Sequence, residues 1–164
     1  MSRFALSFLL VTAVASSAAA QAEIAGSAQG HFLASPQEDY GAGVSADLWF
    51  PIEWFRIGGF FGVAAVPAED DVRNRIFMPL GVSAAFEVMG DDVGVSVRAR
   101  GGLWGGATQE VKLTAGGFVG GAAYLLINLG EGVALDVGLD VWGIFGDGET
   151  VLFAPSLGVS WSPQ

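Results

Sequence analysis

The sequence predicts an all-β protein, an antiparallel up-and-down barrel of eight transmembrane strands. Apolar residues alternate with small or polar ones along most of the chain, which is the period of a β-strand. The alternating segments have about ten or more residues, the length that a tilted strand needs to cross a bilayer. The chain also combines a mean hydropathy of +0.52 with 25 glycines, a composition that fits strands in lipid better than a water-soluble fold.

Segment 1–22 has the layout of a secretory signal peptide. Its basic residue, Arg3, precedes an apolar run, and small residues follow that run. This order is typical of a segment that is cleaved after export. Cleavage after Ala20 and cleavage after Ala22 both satisfy the small-residue rule, and we place it after Ala22. Residues 23–164 then form the barrel as a single domain.

The hydrogen-bonding needs of the backbone favour a barrel over membrane helices. In lipid, only helices and closed barrels satisfy every backbone polar group, and a membrane helix needs about 20 mostly apolar residues. The nearest candidate after the signal peptide is Leu113–Gly130, which is rich in glycine and is interrupted by Thr114 and Asn128. The barrel is therefore the architecture that remains.

Turn residues divide the rest of the chain into eight amphipathic segments. The clearest hairpin is Tyr40–Val66, in which the even positions of the first arm and the odd positions of the second are mainly apolar. Eight is also the smallest strand number of bacterial single-chain barrels. The predicted strands are Glu23–Ala34, Tyr40–Phe50, Trp54–Val66, Arg75–Val88, Val93–Leu103, Val111–Ile127, Val133–Phe145 and Thr150–Trp161.

Charged residues decide which face of each strand meets lipid. A charge that faces the bilayer midplane costs about 2–4 kcal/mol, so charges within strands are expected to face the lumen. The charges opposite the aliphatic faces are Asp47, Arg56, Glu87, Arg98, Arg100, Lys112, Asp136 and Asp140. They are too few to coat a soluble barrel but are sufficient to fill one narrow lumen. The prediction is a packed lumen charge network in a polar interior.

The connections are expected to alternate between compact periplasmic turns and outer loops. A two-residue turn at Pro51-Ile52 would place Asp47 opposite Arg56 inside the barrel. The residues beside this turn are aromatic and are expected at the periplasmic interface, where amphipathic rings are favoured. They are Trp49, Phe50, Trp54 and Phe55.

With this pattern the chain resembles the small eight-stranded outer-membrane barrels of bacteria, the OmpA- and OmpX-like group. The pattern covers the whole mature chain. The end of the last strand, Ser156–Trp161, partly matches the signal that the barrel-assembly machinery reads. The resemblance implies an outer-membrane location and insertion by that machinery. It also implies contact with outer-membrane lipid and lipopolysaccharide, and a monomeric protein.

His31 is the only histidine of the sequence and is expected to face the lumen near the outer rim. Lipid A deacylases and acyltransferases of the outer membrane are small barrels that use a histidine beside a serine and an acidic residue, since such a pair activates the serine. The local spacing from His31 to Ser35 is only a loose match to such sites. We therefore expect His31 to fill the lumen.

The composition excludes some partners and cofactors. Seventeen acidic residues against seven basic ones argue against a nucleic-acid partner, because phosphate binding requires clustered Lys and Arg. The absence of cysteine excludes disulfides and thiolate metal sites. Glu69, Asp70 and Asp71 on one predicted outer loop are weak candidates for Ca²⁺ or Mg²⁺, but their spacing is not that of an EF-hand. No metal and no cofactor is expected.

The sequence predicts a non-enzymatic integral protein of the outer membrane that contributes to envelope integrity or surface interaction. Two alternatives remain open. The inward charges suit a narrow channel for small solutes or ions, and His31 suits a lipid A-modifying enzyme.

Overall fold

The computed structural model is a closed antiparallel barrel and describes residues 24–37, 39–52, 55–67, 75–108 and 112–162. Each strand pairs with its neighbours in sequence, and the pairing of the first strand with the last closes the barrel. The predicted fold class is confirmed. The strands are β1 (Ala25–Ala34), β2 (Tyr40–Ile52), β3 (Phe55–Val66), β4 (Arg75–Met89), β5 (Val93–Thr108), β6 (Leu113–Gly130), β7 (Val133–Gly146) and β8 (Thr150–Trp161). The predicted signal peptide lies outside the described residues.

Apolar side chains cover the outside of the barrel on every strand. Leu80 on β4 and Leu103 on β5 are 68% and 73% exposed, which is far from the burial expected of leucine in water. Such a continuous apolar surface exceeds the patches that soluble monomers expose and matches the lipid-facing belt of a transmembrane barrel. The belt includes Phe32, Leu48, Phe61, Leu80, Val97, Leu125, Leu139 and Leu157. Among the described residues, no helix is long and apolar enough to span a membrane.

The interior consists of two layers, and only one of them is polar. We call the end with the β2–β3, β4–β5 and β6–β7 connections the turn end, and the opposite one the loop end. Polar and charged side chains predominate in the turn-end half, together with two small apolar clusters that contain Tyr124 and Trp49. Most of the loop-end half is filled by a cluster of buried apolar side chains, here called the aromatic layer: Leu33, Phe60, Ala64, Val66, Phe77, Trp104, Phe118, Trp142, Ile144, Leu152 and Ala154. The prediction of a polar interior is therefore wrong for this half, because inward positions need polar residues only where charges or water must be contacted.

The predicted contact between Asp47 and Arg56 is also wrong. Asp47 lies opposite Phe60, and Arg56 lies opposite Pro51. The reason is the position of the turn: β2 continues through Pro51 to Ile52, which pairs with Phe55. Since the side-chain period of a strand is two, a turn displaced by two residues leaves every side chain on its predicted face but changes all its partners.

The same register changes the role of the aromatic residues near this turn. Phe50 and Phe55 are exposed on the outside, as predicted, whereas Trp49 is completely buried in the interior. The indole nitrogen of Trp49 donates a hydrogen bond to Ser83 Oγ at 2.9 Å. Trp49 is therefore part of the polar half of the interior and not of an interfacial girdle. Trp54 lies outside the described residues.

Candidate functional site

Arg100 on β5 is the centre of the buried charge network. Its Nη2 donates to Asp47 Oδ2 at 2.6 Å and to Gln29 Oε1 at 3.1 Å, and its Nη1 donates to Asp140 Oδ1. The side chains of Arg100 and both carboxylates are at most 1% exposed. A buried charge is stable only when it is paired and hydrogen-bonded. The one guanidinium therefore joins four strands, β1, β2, β5 and β7.

Arg98, two residues earlier on the same inward face of β5, forms a second set of contacts nearer the turn end. Its Nη2 donates to Asp136 Oδ2 at 2.6 Å, and its Nη1 donates to Ser27 Oγ at 3.1 Å. The guanidinium carbon lies 4.1 Å from the ring centroid of Tyr124 and 4.9 Å from that of Trp49, within the range of cation–π attraction. The guanidinium is thus fixed by an ion pair, by the hydroxyls of Ser27 and Ser96, and by two rings.

Neutral donors complete the hydrogen bonding of the carboxylates. Asp136 accepts from Ser160 at 2.6 Å, and Asp140 accepts from Ser156 at 2.9 Å and from the hydroxyl of Tyr124. These donors matter because three carboxylates face two guanidiniums in this region, and hydroxyl donors stabilise the charge that is not directly paired. The sequence pattern did not single out these hydroxyls. The alternation within each strand indicates that these hydroxyls face inward. It does not indicate which carboxylates they contact, because those lie on other strands.

The structure brings seven of the eight predicted inward charges into the interior. Arg56 and Glu87 form a separate ion pair at the turn end, with Nη2 and Oε1 2.7 Å apart. Lys112 is the exception and corrects the prediction: its side chain is exposed, and β6 begins one residue later, at Leu113. A residue at an inward position of the alternation is buried only if it lies within the barrel wall, and Lys112 lies beyond the end of the wall.

His31 lies at the boundary between the charge network and the aromatic layer. Its Nε2 is 2.6 Å from Ser45 Oγ, its Nδ1 is 3.7 Å from Asp140 Oδ2, and its ring packs edge-on against Trp142 with centroids 5.2 Å apart. His31 precedes the loop end of β1, at Ala34, by three residues, and it is covered there by the aromatic layer. Ser35, the serine of the loose spacing match, contacts Asp39.

The His31, Ser45 and Asp140 side chains have the composition of a catalytic triad but not its geometry. The distance of 3.7 Å from His31 Nδ1 to Asp140 is too long for the hydrogen bond that orients the imidazole in a triad. Asp140 is already bound by Arg100, Tyr124 and Ser156. The aromatic layer covers the group on the loop-end side, so the arrangement is that of a packed polar interior.

The predicted metal candidates cannot be placed, since Glu69, Asp70 and Asp71 lie outside the described residues. Within the described part of the chain, no group of three or more His, Cys, Asp or Glu side chains is arranged to hold a metal ion.

Comparison with known proteins supports the fold. No protein-family model and no curated protein matches the sequence. Among solved structures, Neisserial surface protein A (NspA) matches with a TM-score of 0.70 at 14% identity, over 85% of this chain and 96% of that chain. The outer-membrane enzyme PagL matches with a TM-score of 0.57 at 12% identity, over 82% of this chain and 98% of that one.

The N-terminal barrel domain of Pseudomonas aeruginosa OprF matches with a TM-score of 0.50 at 15% identity, over 84% of this chain and 96% of that domain. The fold is that of the small bacterial outer-membrane barrels. At these identities the similarity establishes architecture and not activity. Together with the apolar belt, this architecture locates the protein in the bacterial outer membrane, as the sequence predicts.

Proposed function

We propose that this outer-membrane barrel is a non-enzymatic, non-conducting protein that contributes to envelope integrity or surface interaction. The observation that carries the proposal is the filled interior. An eight-stranded barrel is just wide enough for side chains to fill. Here a layer of aromatic rings lies directly above a hydrogen-bonded charge network.

Contacts between the rings support a continuous seal. Trp142 lies 5.9 Å from Phe60 and 6.2 Å from Phe77, measured between ring centroids. Phe60 in turn contacts Phe118 at 5.6 Å, and Phe77 contacts Trp104 at 6.4 Å. These are the edge-to-face and tilted geometries that aromatic pairs prefer. The five rings come from five different strands, so the contacts extend across the barrel.

Conductance in planar lipid bilayers tests this proposal against the narrow-channel alternative. We expect the wild-type barrel to show no steady conductance, because the aromatic layer excludes a water column. The variant Phe77→Ala/Trp142→Ala is expected to conduct, since it removes two rings that contact each other. A matched control, Leu80→Ala/Leu125→Ala on the lipid-facing side, is expected to remain silent. Steady channels in the wild type would contradict the proposal.

The lipid A-modifying alternative rests on His31 and on the existence of an enzyme, PagL, with a similar fold. We expect mass spectra of lipid A from cells with and without the gene to be identical, because His31 lacks an oriented acid and is buried at 5% exposure. A change in acylation that requires the gene and is lost in His31→Gln would establish the enzyme instead.

The apolar outer surface of the barrel indicates its partners. We propose that the exposed apolar belt contacts outer-membrane lipid and lipopolysaccharide and that the barrel-assembly machinery inserts the chain. The closure of β1 on β8 leaves no strand edge for pairing with another copy, which supports a monomer.

A further inference from the structure

A cavity of about 300 Å³ lies at the turn end of the barrel, below the charge network. Its volume is at the lower limit of small-molecule sites, which restricts a ligand to the size of a short peptide. The side chains around this turn-end cavity that carry polar groups are Arg56, Glu87, Asn128, Glu131, Ser160, Trp161 and Ser162. The indole nitrogen of Trp161 is a buried donor without a hydrogen-bond partner, so a carbonyl oxygen of a ligand can also be held there.

The ion pair in the wall of the cavity has one donor and one acceptor left over. Arg56 uses Nη2 for Glu87 Oε1 and for Ser162 Oγ, at 2.7 and 3.2 Å. Arg56 Nη1 and Glu87 Oε2 are both buried and have no hydrogen-bond partner. Buried polar groups without partners are uncommon in native structures and call for an explanation. A ligand that supplies both partners provides one.

The combination of one free donor and one free acceptor selects the chemistry of that ligand. A carboxylate would pair with Arg56 but would be repelled by Glu87, and an ammonium group would meet the opposite conflict. A neutral amide accepts through its oxygen and donates through its nitrogen, so it suits both atoms together. A peptide group therefore fits the Arg56–Glu87 pair best.

The rim of the cavity is rigid and acidic. Asn128 donates to the carbonyl oxygen of Asp91 at 2.8 Å and accepts from the backbone nitrogen of Gly130 at 2.9 Å, which ties the β4–β5 turn to the β6–β7 turn. Glu131 has a positive φ of 53°, a conformation that non-glycine residues adopt only when their surroundings hold it. Its exposed carboxylate lies beside a turn that carries Asp91 and Asp92, and this favours a positive charge on the ligand.

We propose that the turn-end cavity binds a short basic peptide segment, with a peptide group against Arg56 and Glu87 and a cationic group toward Glu131. This inference goes beyond the proposed function, since it concerns a binding site on the periplasmic side. It is also independent of conductance, because the cavity lies below the sealed layers.

The test uses the refolded barrel in detergent micelles and the probe N-acetyl-glycyl-lysine amide. Isothermal titration and ¹H–¹⁵N NMR are expected to show saturable binding, with shifts at the Asn128 side-chain amide and the Glu131 backbone. Glu87→Gln is expected to weaken binding about tenfold. The glutamine oxygen is needed to accept from Arg56, so an NH₂ donor replaces the free acceptor Oε2. Glu131→Gln on the exposed turn is expected to weaken it several-fold, and this variant does not depend on a buried pair for folding.

Two controls make the outcome decisive. Glu149→Gln at the loop end changes the same charge far from the cavity and is expected to leave binding unchanged. N-acetyl-glycyl-glutamate amide, of similar size, is expected to bind at least several-fold more weakly than the lysine probe. The absence of saturable binding, equal affinity for both probes, or equal affinity of wild type and both cavity variants would each overturn the proposal.

Discussion

At the scale of single residues, the interior of this barrel depends on a few fully buried ions. Arg100 contacts carboxylates from β2 and β7 and a glutamine from β1, so it links four of the eight strands when its own strand is counted. The sequence predicted that Arg100 faces inward, because parity is a local property. It did not predict its partners, because which residues meet across a barrel depends on the register of every strand between them.

Replacing Arg100 tests this dependence. Arg100→Ala is expected to lower the free energy of unfolding by about 3–5 kcal/mol, because it leaves Asp47 and Asp140 buried without their guanidinium. The measurement is urea unfolding in micelles, followed by tryptophan fluorescence. Lys112→Ala is the matched control: this exposed cation is expected to change stability by no more than about 0.5 kcal/mol. Equal stability of the two variants would contradict the buried network.

At the scale of elements, all eight strands were predictable and their ends were less so. Period-two alternation indicates a strand wherever one face meets lipid, so every predicted strand is present. Glycine was misleading at the ends: β5 continues through Gly105 and Gly106, which pair with Ala115 and Thr114, although such glycines also suit a loop. In a barrel wall, pairing with a neighbouring strand overrides this local preference.

Two prolines within strands weaken the wall locally. The register between β1 and β8 is interrupted between His31↔Ser156 and Ala34↔Phe153, and Pro155 lies in this gap. Pro79 of β4 lies in a similar gap opposite β3. Proline has no N–H to donate, which accounts for the missing pairing at these two sites. Pro51 of β2 produces no such gap, since it pairs with Arg56 in continuous register.

Hydrogen–deuterium exchange tests the effect at Pro155. We expect the amides of Phe32 and Leu33 in β1 to exchange faster than those at the centre of the β5–β6 pair, where the register is unbroken. Pro155→Val supplies an N–H that can donate to a carbonyl oxygen of β1 across the gap. This local stabilisation of about 1 kcal/mol is expected to slow exchange at these two amides roughly fivefold. If exchange there is already as slow as in β5, or if the substitution leaves it unchanged, the gap has no such effect.

At the scale of the whole molecule, the barrel combines an apolar outer belt with an interior of two layers. The belt was predictable, because lipid requires an apolar side chain at every outward position within the membrane. The division of the interior was not. The depth at which Phe77 or Trp142 lies is set by the stagger between strands, and sequence alternation contains no information about stagger. The aromatic layer and the charge network are therefore properties of the assembled barrel.

The chain has no cysteine, and the sealed interior can therefore be tested with single introduced thiols. Ala154 of β8 is completely buried within the aromatic layer. Glu149 lies just before β8 and is exposed. The decisive measurement is the rate at which a small, charged, water-soluble thiol reagent modifies Ala154→Cys and Glu149→Cys in folded barrels in lipid vesicles. A sealed interior predicts rapid modification of Glu149→Cys and none of Ala154→Cys until the barrel is unfolded. Equal rates in the folded barrels would show that water-soluble reagent enters the aromatic layer and that the interior is not sealed.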